Sequence, residues 1–392
     1  MKMKWSYLLV LLLFPLLLLA GCGGDQPAAE SWSFVMFGDC RGDNDTDKGV
    51  SPYLNTIAKK IASLKPEMVI IAGDMANGNC LTPASPLYPA GGNFTDAAAK
   101  TMYAGEFANF KTAMKPVYDY SINSGIPIYT VRGNHENEDM GGAPIPVLKQ
   151  AYQEAFSSYV PSNGPNNGAN DDQRGFSWSL THKNVTVVAA DQYFNFDPTF
   201  AGGTTPWSGY HSIDQVWVTQ QFQQSTAPYK VFMAHEPMFQ TEGNDPAELY
   251  NEGAQHFFGI NAAGLATRKV FWNGIGNAGV QLYLTGHLHL LTTSAIPDDN
   301  GNPMFQLMAG NGGAPGQPFI NNPEAGVTTL YNNGNTYSNG KVNATYGFSL
   351  ATVEDTKMTI RYYSLNPANG NWTVAAYTTK ILPKAASPLA RR

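Results

Sequence analysis

The chain is poor in charge of either sign. Charged residues make up 14% of its 392 positions, and the formal net charge is −6. A nucleic-acid-binding surface needs an excess of basic side chains, yet the chain has 24 lysines and arginines against 30 acidic residues. We therefore expect no nucleic-acid partner, and we interpret the final Arg391-Arg392 pair as a solvated tail. No internal repeat is present either, which excludes a solenoid or propeller.

Histidine and cysteine are also scarce. The chain has 7 histidines and 3 cysteines, and so few thiols do not indicate a thiolate metal site. Two of the histidines, His287 and His289, nevertheless stand two positions apart after a short apolar run. On an extended segment, residues with this spacing point the same way and could hold a metal. Polar residues in an ordinary turn would give the same spacing, so the pair alone does not decide.

Long apolar runs are missing except at the start of the chain. Residues 7–20 are apolar but are interrupted by Pro15, and the run is too short for a comfortable membrane span. Lys2 and Lys4 precede it, which is typical of an export signal. Its end, Leu19-Ala20-Gly21-Cys22, resembles the lipobox of bacterial lipoproteins. The resemblance implies cleavage before Cys22 and lipid attachment to that residue. A soluble secreted protein is the alternative.

This interpretation divides the chain into a signal peptide (1–22), a flexible tether (23–31), one large domain (32–383) and a tail (384–392). We expect export and a lipid anchor in the bacterial cell envelope, on the periplasmic or outer face, with membrane contact through the N-terminal lipid. Cys40 and Cys80 would then be the remaining thiols. Thiols outside the cytoplasm often pair. A Cys40–Cys80 disulfide and two separate thiols both stay open.

Several short apolar runs predict strands that are buried on both faces and end in polar residues. The runs are 33–37, 67–72, 126–131, 231–234 and 280–284. Helical patterns lie between them, near 51–64, 97–122, 212–224 and 262–274. Strand and helix in alternation indicate an α/β layered fold, in which ligands bind at the carboxyl ends of the strands. Segments 176–180 with 185–190, and 348–353 with 357–363, predict hairpins of a second sheet.

Three stretches are predicted to be loop insertions, near 77–95, 158–174 and 192–211. They are rich in glycine, proline and asparagine or in aromatic residues. Loops of this kind often border a binding site, although surface padding is as good an interpretation for the middle one. The aromatics of the third either stack on a substrate ring or form a small satellite core; they are Tyr193, Phe194, Phe196, Phe200, Trp207 and Tyr210.

The polar strand endings, taken in order, resemble the conserved blocks of the calcineurin-like metallophosphoesterases, which include the purple acid phosphatases. The blocks are Gly38-Asp39-Cys40-Arg41, Gly73-Asp74, Gly133-Asn134-His135-Glu136, His235-Glu236-Pro237 and Gly286-His287-Leu288-His289. The resemblance implies a four-layer αββα sandwich, in which two mixed β-sheets are flanked by helices. It also implies hydrolysis of phosphate esters by a metal-activated hydroxide.

The resemblance implies two divalent or trivalent ions, Fe, Zn or Mn. Mixed carboxylate, imidazole and amide ligands suit these metals. The first ion would be held by Asp39 and His289, and Asp74 would bridge both ions. The second ion would be held by Asn134, His235 and His287.

The third block supplies the expected acid. In the family, the residue at the position of His135 protonates the leaving oxygen. Glu136 is expected to orient that imidazole, as an outer carboxylate should. A carboxylate at the start of a helix is the alternative for Glu136. Cys40 is not expected to be a nucleophile, because no separate base for it is evident. The glycine-rich turn after residue 310 is expected to be either an ordinary turn or a neighbour of the site.

The first block departs from the family pattern. Many members have Asp-x-His there, whereas this chain has Arg41, which has no lone pair to give a metal. Asp43, Asp45 or a water would have to supply the missing ligand. We expect Arg41 to clamp a substrate phosphate with its guanidinium fork. A salt bridge within its loop is the alternative.

The sequence therefore predicts a lipid-anchored metallophosphoesterase that acts on a small-molecule phosphate ester. Monoester and diester substrates both stay open, and so does the oligomeric state. The alternative is a non-catalytic binding protein that has kept the fold. A calcium-binding lipoprotein is excluded, because Ca²⁺ prefers oxygen ligands over the histidines of these blocks.

Overall fold

The protein is described by a computed structural model that covers most of the chain after residue 30. The described residues are 31–42, 49–78, 96–137, 146–167, 172–193, 213–241, 262–321, 323–338 and 341–383. They belong to one unit, Ser31–Arg392. The predicted signal peptide, lipidation site Cys22 and tail lie outside the described residues. Within the described part, none of the helices is both long and apolar enough to cross a bilayer.

The first sheet has six strands. In spatial order they are β17 (Trp372–Ile381), β16 (Met358–Leu365), β15 (Tyr346–Val353), β1 (Trp32–Phe37), β2 (Met68–Ile71) and β5 (Ile128–Thr130). The last three run parallel, and β15 joins them antiparallel, with Trp32 opposite Val353. Since parallel strands end at the same edge, the polar residues after β1, β2 and β5 meet there.

The second sheet has seven strands. In spatial order they are β12 (Thr328–Asn332), β10 (Leu291–Ala295), β11 (Phe305–Ala309), β9 (Leu282–Thr285), β8 (Tyr229–Met233), β7 (Val185–Ala189) and β6 (Trp178–His182). Strands β7, β8, β9 and β11 are parallel. Two further pairs of short strands lie apart: β3 (Tyr118–Asp119) with β4 (Ser124–Gly125), and β13 (Thr336–Ser338) with β14 (Lys341–Asn343).

The two sheets pack face to face, and helices cover their outer faces. Alternate residues of β1 separate the layers: Phe34 and Met36 belong to the core between the sheets, whereas Val35 and Phe37 face the helices. Helices α1 (Leu54–Leu64), α2 (Asp96–Ala113) and α3 (Pro146–Phe156) share the core of the first sheet's outer face. Helices α4 (Gln215–Gln224) and α5 (Ala262–Asn277) share that of the second. The predicted α/β fold with two mixed sheets and flanking helices is confirmed.

The predicted hairpins are present, as β6–β7 and β15–β16. Only β6–β7 belongs to the second sheet as predicted, because β15 pairs with β1 and its hairpin extends the first sheet. One predicted helix is too long. The expected helix 97–122 ends at Ala113, and the chain turns through Val117 into the β3–β4 pair. Tyr118 and Tyr120 pack edge to face there, so aromatic contacts replace further helical turns. Helix α3 and strand β17 were not predicted, because polar residues interrupt the apolar pattern of both segments.

The loop and disulfide predictions fall mostly outside the described residues. This applies to 79–95, to 194–212 and to Cys80, while Cys40 is buried and has no disulfide partner among the described residues. The disulfide therefore stays a prediction. The described part of the middle loop is fixed to the second sheet: the Asn163 amide donates to the Ser179 carbonyl at 2.9 Å and accepts from the Ser179 N–H at 2.9 Å.

Candidate metal centre

The polar residues that follow β1, β2, β5, β8 and β9 converge between the two sheets. Each of these strands is apolar and buried along nearly all its length, so the first polar side chains appear where it ends. Ligand atoms of Asp39, Asp74 and His235 lie within 4.8 Å of one another, and all three residues are buried. The structure thus brings together residues that are far apart in the sequence.

The residues predicted for the second ion form one half of the site. The Nε2 atom of His235 lies 3.0 Å from Oδ1 of Asn134 and 3.4 Å from Oδ1 of Asp74. The Nδ1 atom of His287 lies 3.2 Å from the same Asn134 oxygen. Two imidazole nitrogens and two oxygens therefore face one small volume, from four different strand ends.

A backbone carbonyl fixes the ring of His235. Its Nδ1–H donates to the Ala72 carbonyl at 2.6 Å, and since a carbonyl only accepts, Nδ1 carries the proton and Nε2 keeps its lone pair. The hydroxyl of Thr285 donates to the carbonyl of His235. The ring is thus oriented with its unprotonated nitrogen toward Asn134 and Asp74, as outer contacts orient metal-binding histidines.

Asp39 and His289 form the other half. The Nδ1–H of His289 donates to the Pro315 carbonyl at 2.8 Å, which directs its Nε2 to a point 3.7 Å from Oδ1 of Asp39. The His289 N–H donates to the Gln317 side chain at 2.8 Å. The glycine-rich turn after β11 supplies Pro315 and also donates the Ala314 N–H to the Asp39 carbonyl. This turn is therefore a neighbour of the site.

Arg41 lies in this same half. Its Nη2 is 3.4 Å from Nε2 of His289, and its Nε is 3.6 Å from Oδ2 of Asp74. Its Nη1 donates to the Gly42 carbonyl at 3.2 Å. The side chain is 14% exposed, so the guanidinium is turned into the site and not out to solvent.

Three of the site residues hold a left-handed backbone. The φ angles are +54° at Asp39, +54° at Asp74 and +71° at His287, a region that side chains rarely adopt. Such strain is typical of functional sites, where the surrounding structure holds it in place. Gly73, at φ +85°, precedes Asp74, and a Cβ there would lie 2.5 Å from Nδ1 of His235.

The expectation that His287 and His289 share a face of an extended segment is wrong in its geometry. The chain from Gly286 bends through two consecutive three-residue turns, in which Leu288 N–H donates to the Gly286 carbonyl and Leu290 N–H to the Leu288 carbonyl. The bend still turns both rings into the site. It also places the His287 N–H on the Asp39 carboxylate, 2.9 Å from Oδ2.

Glu136 contacts backbone amides. Its Oε1 accepts from the N–H groups of Met75 and Ala76 at 2.7 and 3.0 Å. Its Oε2 accepts from those of Asp74 and Gly133 at 2.9 and 2.8 Å. Burial and the Asp74 carboxylate raise the pKa of Glu136 to about 8 despite these bonds. Both oxygens are occupied by amides, so Glu136 joins the loops after β2 and β5, in place of the predicted contact with His135.

His135 lies over the candidate bridging carboxylate. Its Nε2 is 3.9 Å from Oδ2 of Asp74, its N–H donates to Oδ1 of Asp74 at 3.1 Å, and its side chain is 11% exposed. Burial, the Arg41 charge and the nearby histidines lower the pKa of His135 well below the ordinary value. A bound phosphate would add negative charge beside the ring and raise that pKa.

The charges of the site favour a cation. Burial and the neighbouring Asp74 raise the pKa of Asp39 well above its usual range, because two carboxylates lie close together. Burial and the Arg41 charge lower the pKa of His289 to about 3, so its Nε2 is unprotonated at neutral pH. The site combines imidazole lone pairs with buried carboxylates whose negative charge is not fully balanced. This donor set matches Fe, Zn or Mn.

The two halves fit a metal ion differently. Asp74, Asn134, His235 and His287 offer an oxygen or nitrogen each, and the Ala72 carbonyl orients the ring of His235. Asp39 and His289 also face inward, but the guanidinium of Arg41 stands at His289 Nε2. The four residues predicted for the second ion fit an ion without change. Asp39 and His289, predicted for the first ion, fit one only if Arg41 moves.

A buried ion pair that was not predicted from the sequence lies next to the site. Arg132 lies two residues after the end of β5 and donates to Asp191 through Nε at 2.6 Å and Nη2 at 2.8 Å; both side chains are fully buried. Arg132 also donates to Asn137 at 3.2 Å, and the Tyr193 hydroxyl donates to Glu236 at 3.0 Å. Asp191 follows β7, a sixth strand whose polar ending was the available signal.

Comparison with known proteins agrees with this geometry. Residues 33–291 match the family described as calcineurin-like phosphoesterase. A purple acid phosphatase from yellow lupin seeds (Lupinus luteus) is 16% identical, with a TM-score of 0.57; the similarity covers 90% of this chain and 54% of that one. The chain thus spans about half the length of the lupin protein. PhoD is 12% identical, with a TM-score of 0.57 and coverage of 92% and 73%. No curated protein sequence matches. At these identities the structural likeness establishes the fold alone.

Proposed function

We propose that this chain, which belongs to the calcineurin-like phosphoesterase family, is a metal-dependent hydrolase of phosphate esters. The observation that carries the proposal is the convergence of Asp74, Asn134, His235 and His287 on one volume, with His135 beside it. A scaffold that only binds a partner has no need for an oriented ligand set with an imidazole next to it.

The ion supplies the chemistry that the side chains lack. When bound, Fe, Zn or Mn lowers the pKa of a water and polarises a phosphoryl oxygen. The chain contributes a fixed geometry: the Ala72 carbonyl orients His235, and the bend at His287 orients Asp39. The resemblance implies two ions, with Asp74 between them, and the first of these, at Asp39 and His289, would share its place with Arg41.

His135 is proposed as the general acid. Its ring is neutral before substrate binds, because burial and nearby positive charge lower its pKa. The phosphate brings negative charge that raises this pKa, so the imidazole gains a proton when substrate arrives. It then gives the proton to the leaving oxygen as the phosphorus–oxygen bond breaks. Arg41 supplies guanidinium N–H donors to the phosphate from the other side.

The first experiment compares two histidine variants. The purified chain, loaded with Mn²⁺, Zn²⁺ or Fe, is assayed with a chromogenic phosphomonoester and the matching diester. His135→Ala should lower kcat by about 10²–10⁴-fold. His182→Ala is the matched control, because that ring lies away from the site and pairs with Glu67. The preferred ester identifies the substrate class.

Two outcomes would overturn the proposal. Equal turnover in His135→Ala and the parent would remove His135 as the acid. No turnover with any metal, combined with intact metal binding, would favour the alternative of a binding protein that has kept the fold.

We also propose that the chain is exported and lipid-anchored through Cys22, from the motif Leu19-Ala20-Gly21-Cys22. Cys22→Ala should abolish incorporation of labelled fatty acid in a bacterial host and release the protein from the membrane fraction. Unchanged fractionation of the variant would contradict the anchor.

A further inference from the structure

The guanidinium of Arg41 occupies the half of the site where the family pattern implies the first metal ion. Its Nη2 is 3.4 Å from Nε2 of His289, and its Nε is 3.6 Å from Oδ2 of Asp74. These are two of the three atoms that would hold the first ion. The third, Oδ1 of Asp39, is 3.7 Å from His289 Nε2. The positive charge therefore already lies among the acidic and imidazole ligands.

The metal ion and the Arg41 guanidinium would compete for the same atom, Nε2 of His289. Its Nδ1–H is used by the Pro315 carbonyl, so Nε2 has one lone pair to give. An ion would need that lone pair at about 2.0–2.1 Å. Arg41 Nη2 approaches the same nitrogen and has only protons to offer. A guanidinium and an ion cannot both use this lone pair, and their like charges repel each other.

Arg41 is held in this place by its own segment. Its backbone forms an antiparallel bridge with Val50, and its Nη1 donates to the Gly42 carbonyl. The side chain is 14% exposed. The arginine thus approaches the site from a fixed backbone position directly after Asp39 and Cys40.

The other half of the site is clear of this cation. Asn134 Oδ1 contacts His235 Nε2 at 3.0 Å and His287 Nδ1 at 3.2 Å. Of the ligands for an ion there, Arg41 approaches Asp74 alone: its Nε is 3.6 Å from Oδ2, whereas His235 Nε2 faces Oδ1 at 3.4 Å.

We propose that Arg41 replaces the first metal ion, so that this chain binds a single ion, at Asp74, Asn134, His235 and His287. The guanidinium then serves as the second positive charge of the site and faces a phosphate bound beside the ion. The inference rests on the proposed function only for the role of that phosphate; the number of ions is independent of any substrate.

The test counts ions without using activity. The purified full chain is stripped with a chelator, titrated with Mn²⁺ by calorimetry, and examined by electron paramagnetic resonance. We expect one Mn²⁺ per molecule and the spectrum of isolated Mn²⁺. Arg41→His restores a ligand and should bind two, with the spectrum of a spin-coupled pair.

The control variant is Arg174→His. That arginine is exposed and pairs with Asp172 outside the site, so the count should stay at one. Arg41→Ala serves as a second variant if Arg41→His unfolds. It removes the guanidinium and should admit a second ion more weakly, through Asp39, Asp74 and His289.

The outcomes separate this inference from the proposed function. Two spin-coupled ions in the parent protein would overturn the inference even if the protein were active. One ion in the parent and two in Arg41→His would support it even if no ester were hydrolysed. One ion in both, with the Arg41→His fold intact, would show that Arg41 is not what excludes the second ion.

Discussion

Two arginines lie at this end of the sheets, and their surroundings differ. Arg132 is fully buried, donates twice to Asp191 and packs over the ring of Phe176. Among the described residues, the nearest carboxylate oxygen to Arg41 is 3.6 Å away, and its Nε has no hydrogen-bond partner there. Burial of an arginine is costly unless its donors are satisfied. Arg132 is therefore part of the framework, whereas Arg41 is positioned among groups that suit a cation or an anionic substrate.

The largest effect is expected when the framework pair is broken. Arg132→Met should lower the free energy of unfolding by about 3–5 kcal/mol, because Asp191 is left buried without its partner. Urea denaturation measures the loss. The double variant Arg132→Met/Asp191→Leu should recover part of it. A loss below about 1 kcal/mol would mean that the two arginines do not differ as described.

Glu136 extends the comparison of framework and site residues to a buried carboxylate. Its described hydrogen bonds come from backbone N–H groups. Glu136→Gln replaces one oxygen, which accepts two N–H groups, by an amide nitrogen that cannot accept. We expect a loss of about 2–3 kcal/mol, since two buried donors become unsatisfied. Glu154→Gln, at an exposed pair with Lys100, is the matched control and should change little. Equal losses in both variants would remove Glu136 from the framework.

The response to metal should separate the arginines most sharply. A ligand that binds only the folded state stabilises it by mass action. Arg41→Met opens a second ion position, so added Mn²⁺ should stabilise it by about 1–2 kcal/mol more than the parent. Arg132→Met should gain no more than the parent does. Unfolding is followed with and without Mn²⁺, and equal gains in the two variants would contradict the distinction.

The smallest effect is expected at a surface pair. Burial would raise the pKa of Glu67, but hydrogen bonds from Lys183 and His182 outweigh it and lower that pKa. A lowered carboxyl pKa adds stability that is present above the unfolded-state value and is lost as pH falls through the folded-state value. Glu67→Gln should cost about 0.2–1 kcal/mol at pH 7 and nothing near pH 3. A difference that persisted in acid would indicate a contact other than charge.

The sequence was a good guide to the strand ends and a poorer one to what lies around them. Apolar runs before Asp39, Asp74, Asn134, His235 and His287 predicted both the strands and the edge where they meet, because burial on both faces leaves a clear pattern. The sequence also showed that Arg41 cannot be a ligand. Neither observation required knowledge of the contacts between distant segments.

The remaining features depend on such contacts. The N–H groups that donate to Glu136 and the Pro315 carbonyl behind His289 are backbone groups, which almost any residue type supplies. The left-handed turn at His287 cannot be derived from the spacing of two histidines. Arg132 follows β5 of the first sheet, and Asp191 follows β7 of the second. These two strand ends are neighbours only because of the order in which the strands are arranged in the two sheets.

The left-handed backbone at Asp39, Asp74 and His287 restricts which residues can replace them, independently of any metal. Asn and Asp tolerate this conformation better than other side chains, and Gly adopts it without strain. Natural or engineered variation at Asp39 and Asp74 should therefore pass most easily through Asn, which keeps one oxygen in place. Glu, although it keeps the charge, would demand both a longer reach and an unfavourable backbone. The left-handed backbone at these three positions thus limits the substitutions by which the metal preference of this protein can evolve.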